Sequence, residues 1–181
     1  MKKVAYSGVE GAFAHVAARK MFPDAMYVSC KDFRAAYEAV VGGACGAAVL
    51  PVENSYAGKV REVAELLSEG RLCVDAEYSL PIVQNLLGVR GSSLTDVKKV
   101  ISHRKALEQC DAYLKERRYE VEEAVNTAVA ARQVAREQKM SVAAIASLEV
   151  AAMYGLKVLA EHINTSEDNV TRFVAVSKRR Q

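Results

Sequence analysis

From its first residues the chain alternates short apolar runs with stretches whose apolar residues recur every three or four positions. "KKVAYSG" reads as a short buried strand ended by Gly8, and "GAFAHVAARKMF" then sets Phe13, Val16, Ala17 and Met21 at helical spacing. A strand near "AMYVSC", a helix in "KDFRAAYEAVVGG" stopped by its glycine pair, and the apolar strand "GAAVLPVE" follow. The order β-α-β-α-β predicts an α/β fold with a mostly parallel sheet covered by helices. "GKVREVAELLSEG" continues as an amphipathic helix, and "LPIVQNLLGV" reads as a strand leading out of that unit. The alternation then resumes: a strand in "DVKKVIS", a helix through "HRKALEQCDAYLKERR", a strand in "YEVEEAV", and a helix in "NTAVAARQVAREQK" with Asn126 or Thr127 as its cap. "VAAIAS" is a buried strand, "SLEVAAMYG" a helix ended by Gly155, and "TRFVAVS" a closing strand. No internal repeat and no Pro/Gly linker interrupts this pattern, so any division into lobes is expected to be made by crossing strands.

Composition narrows the function. Hydrophobic residues at 51% and charged residues at 26% are those of a compact globular chain rather than a disordered one. A net charge of +3, 7% aromatic residues and no Trp give no basic stripe with interleaved aromatics, so no nucleic-acid partner is expected. No segment approaches the roughly 20 apolar residues of a membrane span. "MKKVAYSGVEGAF" lacks the apolar run of a signal peptide, so the expected location is cytoplasmic. Cys30, Cys45, Cys73 and Cys110 form no C-x-x-C pair, and His15, His103 and His162 stand in no metal-ligating pattern. Reduced thiols, no metal and no cofactor are the expectation.

In an open α/β sheet ligands collect beyond the carboxyl ends of the strands. Those positions here are polar: "SGVEGAF" after the first strand, "PVENSYAG" after the third, "SHRKALEQC" after "DVKKVIS", "NTA" after "YEVEEAV", and Ser147 after "VAAIAS". The last strand is preceded by "NTSEDN". Ser, Thr and Asn are favoured helix caps, so each instance alone is explained structurally. Gly8 and Gly11 in "GVEG" lack the third glycine and distal acid of a dinucleotide fingerprint. "PVENS" is harder to explain that way, because a buried acid and amide at the end of an apolar strand need partners, and a ligand is one way to supply them.

Taken together, "GVEGAFAHVAA", "VLPVENSYAGKV", "LPIVQNLLG", "SHRKALEQC", "NTAVAA", "AAIASLEVAAMYGL" and "INTSEDNVTRF" resemble the signature segments of prephenate dehydratase, in order and over almost the whole chain. The resemblance implies one catalytic domain over residues 1–181 with a two-lobed fold like type II periplasmic binding proteins. Lobe 1 would hold about residues 1–78 plus 166–181, lobe 2 about residues 79–165, and the active site would lie in the interlobe cleft. Such enzymes convert prephenate to phenylpyruvate, releasing CO2 and water on the route to phenylalanine, with no cofactor or metal. Aromatisation drives the reaction, so the protein has to hold a dianion in its reactive shape and help hydroxide leave.

The family's catalytic threonine falls on Thr171, whose role would be hydrogen-bond stabilisation of the departing oxygen. Asn54 and Gln109 match its functional amides and would orient the substrate. Ser102, Thr127 and the helix starts near Gly11 and Thr127 are candidate carboxylate donors, with Arg172 a candidate counter-charge. Ser55 and Asn169 belong to the same motifs. Asn169 and Thr171, two apart on an extended segment, would project to one side. Glu53 reads either as a substrate contact or as a structural acid that fixes Asn54, and Phe173 as a wall of the cleft or as core.

Two departures stand out. Ala14 occupies a position where the family usually carries a hydroxyl, and Arg104-Lys105 replaces its common Pro-Gln. The chain ends at "SKRRQ", so the phenylalanine-binding ACT domain that often follows is expected to be missing, and a homodimer is expected from the family alone. Arogenate dehydratase and a non-catalytic sensor of small carboxylates are the alternative readings.

Overall fold

Residues 1–166 and 168–179 are described in a computed structural model of the chain; Glu167 in "NTSEDN" and Arg180 and Gln181 in the basic tail lie outside the described residues. The elements run β1 (Lys3–Ser7), α1 (Phe13–Met21), β2 (Met26–Cys30), α2 (Phe33–Val41), β3 (Ala47–Asn54), β4 (Gly58–Lys59), α3 (Arg61–Ser68), β5 (Cys73–Pro81) and β6 (Asn85–Gly88). They continue β7 (Lys99–His103), α4 (Arg104–Gln109), α5 (Asp111–Glu116), β8 (Glu120–Ala124), α6 (Thr127–Glu137), β9 (Val142–Ala146), α7 (Leu148–Tyr154), β10 (Lys157–Ala160) and β11 (Val170–Ser177).

Two compact units result, Met1–Ile82 with residues 168–179, and residues 83–166. The division falls a few residues beyond the expected 78/79 because β5 pairs with β11 as far as Pro81, opposite Val170, and the Ile82 N–H donates to Asn169 O at 2.7 Å.

The first unit is a sheet in the order β2-β1-β3-β11-β5, with β4 paired to β3. Alternation along its strands builds a core on each face. Val4, Tyr6, Val49 and Phe173 pack with Ala14, Ala17 and Ala18 of α1, whereas Ala5, Ala48, Leu50 and Val174 pack with Tyr37 and Val40 of α2 and Val63 and Leu66 of α3. Asp32 caps α2, its side chain accepting from the Ala35 N–H at 2.7 Å.

The second unit is a sheet in the order β10-β6-β9-β7-β8. Leu86, Val100, Ala143 and Ile145 pack there with Ala106 and Leu107 of α4, Cys110 between the helices and Leu114 of α5. Asn126 caps α6 by accepting from Val129 N–H at 2.8 Å, and Gly155, at φ +64°, ends α7 where a side chain would be strained.

Neither sheet is mostly parallel. In the first, β2, β1 and β3 run parallel while β11 is antiparallel to both β3 and β5; in the second, β8, β7 and β9 run parallel while β6 is antiparallel to both β9 and β10. The absence of a repeat holds for the residues but not for the topology. Each unit is a β-α-β-α-β core whose third strand accepts one strand from the crossing chain, β11 in one and β6 in the other.

Four local expectations need correction. The exit strand is two strands, β5 and β6, separated at Ile82–Gln84; Gly58-Lys59 pairs with β3 rather than opening α3; the long helix breaks at Cys110; and β10 adds a strand after α7. Among the described residues, no helix is long and apolar enough to cross a membrane.

Candidate active site

Asn54 ends β3 and stands directly opposite Thr171 of β11. A bulge sets this pairing. Phe173 opposes Pro51 while the next residue, Arg172, opposes Glu53, so Val52 is the extra residue. Pro51 has no N–H to give a ladder and lies beyond the stretch of β3 paired to β1, where such a residue is tolerated. Without the bulge, two-residue alternation would turn Glu53 rather than Asn54 to the side of Thr171.

The Asn54 amide is oriented by the backbone. Its Oδ1 accepts from the Tyr56 and Ala57 N–H groups, both at 3.0 Å, so Nδ2 must face the other way. There it donates to Asn169 Oδ1 and Thr171 Oγ1, both at 2.9 Å, with Val170 O at 3.3 Å. Asn54 therefore has no donor left for a ligand, against the expectation that its amide orients the substrate directly. Thr171 accepts from Asn54, so its own proton points elsewhere, and no described residue accepts it. Asn169 is 2% exposed and its Nδ2 has no partner among the described residues. Asn169 and Thr171 do lie on one side.

The opposite face corrects two further assignments. The Arg172 guanidinium is held by Glu53 at 2.8 Å and Glu77 at 3.3 Å, so its charge is balanced and turned away from Thr171. Glu53 fixes Arg172, not Asn54. The Ser55 hydroxyl is also committed, donating to Asp168 O at 2.8 Å and accepting from the Val170 N–H at 3.0 Å, which staples the turn after β3 to the start of β11. Phe173, 2% exposed, is core. Gly11, at φ +88°, gives its N–H to His15 Nδ1 at 3.0 Å and is not free to bind a carboxylate. His15 is buried, stacked on Tyr6 and edge-on to Tyr27. Burial pushes its pKa down, with Glu10 opposing and Arg19 adding to the shift. Ala14 packs in the same core.

In the second unit, Gln109 ends α4 and its Oε1 accepts from Gln84 Nε2 at 3.2 Å. Ser102 is fully buried and donates to Ile145 O at 2.7 Å, so it is a sheet residue rather than a carboxylate donor. Thr127 opens α6 and is 9% exposed; Asn126 is the cap, leaving the first N–H groups of the helix available. Arg104 pairs with Glu108 at 3.0 Å on the helix surface, and the Lys105 N–H donates to His103 Nδ1 at 3.2 Å. Gln84 was missed by sequence reasoning; its signal was a Gln-Asn pair inside the apolar run "LPIVQNLLG".

A groove of about 1090 Å³ in the first unit is lined by Lys2, Phe22, Gly46, Cys73, Tyr78 and Arg179, and Asn54, Asn169 and Thr171 are not part of its lining. Among the described residues no group of three or more His, Cys, Asp or Glu is placed to hold a metal ion.

Comparison with known proteins identifies the family and the fold. The family profile described as prephenate dehydratase matches residues 4–181. The chain is 40% identical over 176 residues to the Arabidopsis thaliana protein named arogenate dehydratase/prephenate dehydratase 1, chloroplastic, covering 97% of this chain and 45% of that one. It thus spans about half the length of the curated relatives it matches. Among solved structures, prephenate dehydratase from Arthrobacter aurescens superposes with a TM-score of 0.89 at 30% identity, over 99% of this chain and 61% of the other. GqqA, described as a quorum-quenching acylase, does so at 0.90 and 30%, over 99% and 65%. A nutrient-binding protein from Burkholderia cenocepacia, at 0.50 and 12% over 97% and 84%, shares the two-lobed fold of type II periplasmic binding proteins.

Proposed function

Because the chain belongs to the prephenate dehydratase family, a family of carbon-oxygen lyases in phenylalanine biosynthesis, we propose that it converts prephenate to phenylpyruvate, CO2 and water. The bond from the ring to its carboxylate breaks to release CO2, its electron pair completes the aromatic ring, and the C4–O bond breaks with its electrons on oxygen, the departing hydroxide taking one proton from solvent to leave as water. A donor facing that oxygen lowers the barrier. The observation that carries the reading is the fork at Asn54: by filling Thr171 Oγ1 as an acceptor it leaves the threonine proton to be given outward. Thr171 is the group we assign to the leaving oxygen, Asn54 positions it, and Gln109 is the catalytic amide. With Arg172 already balanced, carboxylate recognition rests on neutral donors, including the start of α6 at Thr127.

Arogenate is the second reading, favoured by the relatives: the 40%-identical Arabidopsis protein carries both names, and a Petunia hybrida protein of equal identity is named arogenate dehydratase. Arogenate replaces the keto group with an amine on the side chain of C1, across the ring from the C4–O bond, so the same leaving-group assistance at that oxygen serves both.

Purified protein is assayed with prephenate, following phenylpyruvate, and with arogenate, following phenylalanine, each corrected for acid-catalysed decomposition without enzyme. Turnover of at least one substrate is expected. Thr171→Val, which keeps the shape and removes the hydroxyl, is expected to lose at least ~100-fold in kcat, about 2.7 kcal/mol of transition-state stabilisation. A wild-type protein inert to both substrates ends this reading.

A further inference from the structure

Gln84 lies between β5 and β6, and its side chain is 2% exposed. A buried amide is kept at a cost that an apolar side chain of similar size would avoid, so its bonds call for an account. Its backbone is held on both sides: the N–H donates to Asn164 Oδ1 at 2.7 Å, and the carbonyl accepts from the Ile163 N–H at 3.0 Å. The same segment reaches Gln109, whose carbonyl accepts from the Thr165 N–H at 2.7 Å. Residues 163–165 therefore clip Gln84 and Gln109 together, although 25 positions separate them in sequence.

Across that clip Gln84 Nε2 donates to Gln109 Oε1 at 3.2 Å, and Gln84 Oε1 is left without a partner among the described residues. Turning both amides over would bury an unpaired N–H instead of an unpaired carbonyl, the rarer of the two in folded proteins. With its oxygen occupied, the Gln109 amide has one end left to offer, the Nε2 donor.

We propose that Gln84 is a positioning residue that holds the Gln109 amide with its N–H groups outward as a hydrogen-bond donor. The proposal rests on the reading of Gln109 as a catalytic amide. A double-mutant cycle on the full chain tests it. Gln84→Met removes the donor at nearly constant volume and is expected to lower kcat about tenfold, the rate equivalent of one net hydrogen bond, with KM within about twofold. In a Gln109→Ala background the same change is expected to cost less than about twofold, because the group it acts through is gone.

An equal loss in both backgrounds means that Gln84 only supports the fold, and overturns the proposal. So does a Gln84→Met protein as active as wild type, or a Gln109→Ala protein with undiminished kcat. A wild type inactive on both prephenate and arogenate removes the functional reading first and this inference with it. If Gln84→Met melts well below wild type, Gln84→Asn, which keeps the amide but withdraws it from reach, is carried through the same cycle with the same expectation.

Discussion

Asn54 shows how little of a side chain's role its identity reveals. Its amide looks like a ligand contact in "PVENS", yet two backbone N–H groups on its oxygen and two side-chain oxygens on its nitrogen leave it nothing to offer. Replacing it by Asp keeps size and shape but exchanges two donors for an acceptor. The Thr171 proton then has a carboxylate beside it and is drawn inward, away from the reacting oxygen. Asn54→Asp is therefore expected to lower kcat by about 10²–10³, the range seen when a transition-state donor is removed, with the melting temperature less affected than activity; steady-state kinetics beside a thermal melt checks both. The polar types at strand ends were readable in the sequence. Their partners were not, since Asn54 and Thr171 are 117 positions apart and meet only through the register of two strands.

Elements carried by an apolar pattern could be read along the chain, and those carried by backbone pairing could not. β3, β7 and β9 have buried runs that announce themselves, whereas "CVDAEYSLP" of β5 is exposed along most of its length and is held by its ladder to β11. β10 has four residues and none fully buried. The start of α1 makes a prediction at this scale. Its entry is tied by the Gly11 N–H on the unprotonated Nδ1 of His15, and burial holds that imidazole below the usual histidine value of 6.5. The unfolded chain takes up this proton near pH 6.5 and the folded chain only at lower pH, so the contribution to stability is complete above 6.5 and is lost as pH falls through the folded value. The wild-type melting temperature is expected to drop from pH 7.5 to 5.5 more steeply than that of His15→Gln, whose amide oxygen can accept the same N–H. Parallel pH slopes in the two proteins would remove His15 as the cause.

At the scale of the whole molecule the two units repeat one topology without repeating one sequence. β11 enters beside β3 with Thr171 opposite Asn54, and β6 enters beside β9 with Asn85 opposite Ala146. Such a repeat lies in strand order, which periodicity does not report. The units differ in continuity, however. Residues 83–166 are a single stretch whose two ends are hydrogen-bonded at Gln84, Ile163 and Asn164, while the first unit needs a strand supplied from beyond them. A fragment of residues 83–166 is expected to melt cooperatively by circular dichroism, and a chain cut after residue 166 to lose the signal of the first unit, because β3 and β5 then have no strand between them. A fragment with no transition would show that the second unit depends on the first.

That insertion also fixes a timetable. During translation β3 leaves the ribosome 117 residues ahead of the strand that completes it, a wait on the order of ten seconds at ordinary elongation rates. The second unit emerges whole in that interval and can close, while the nascent first unit keeps two strand edges unpaired and open to wrong partners. Of these two units, the one whose synthesis starts first is thus the one completed second.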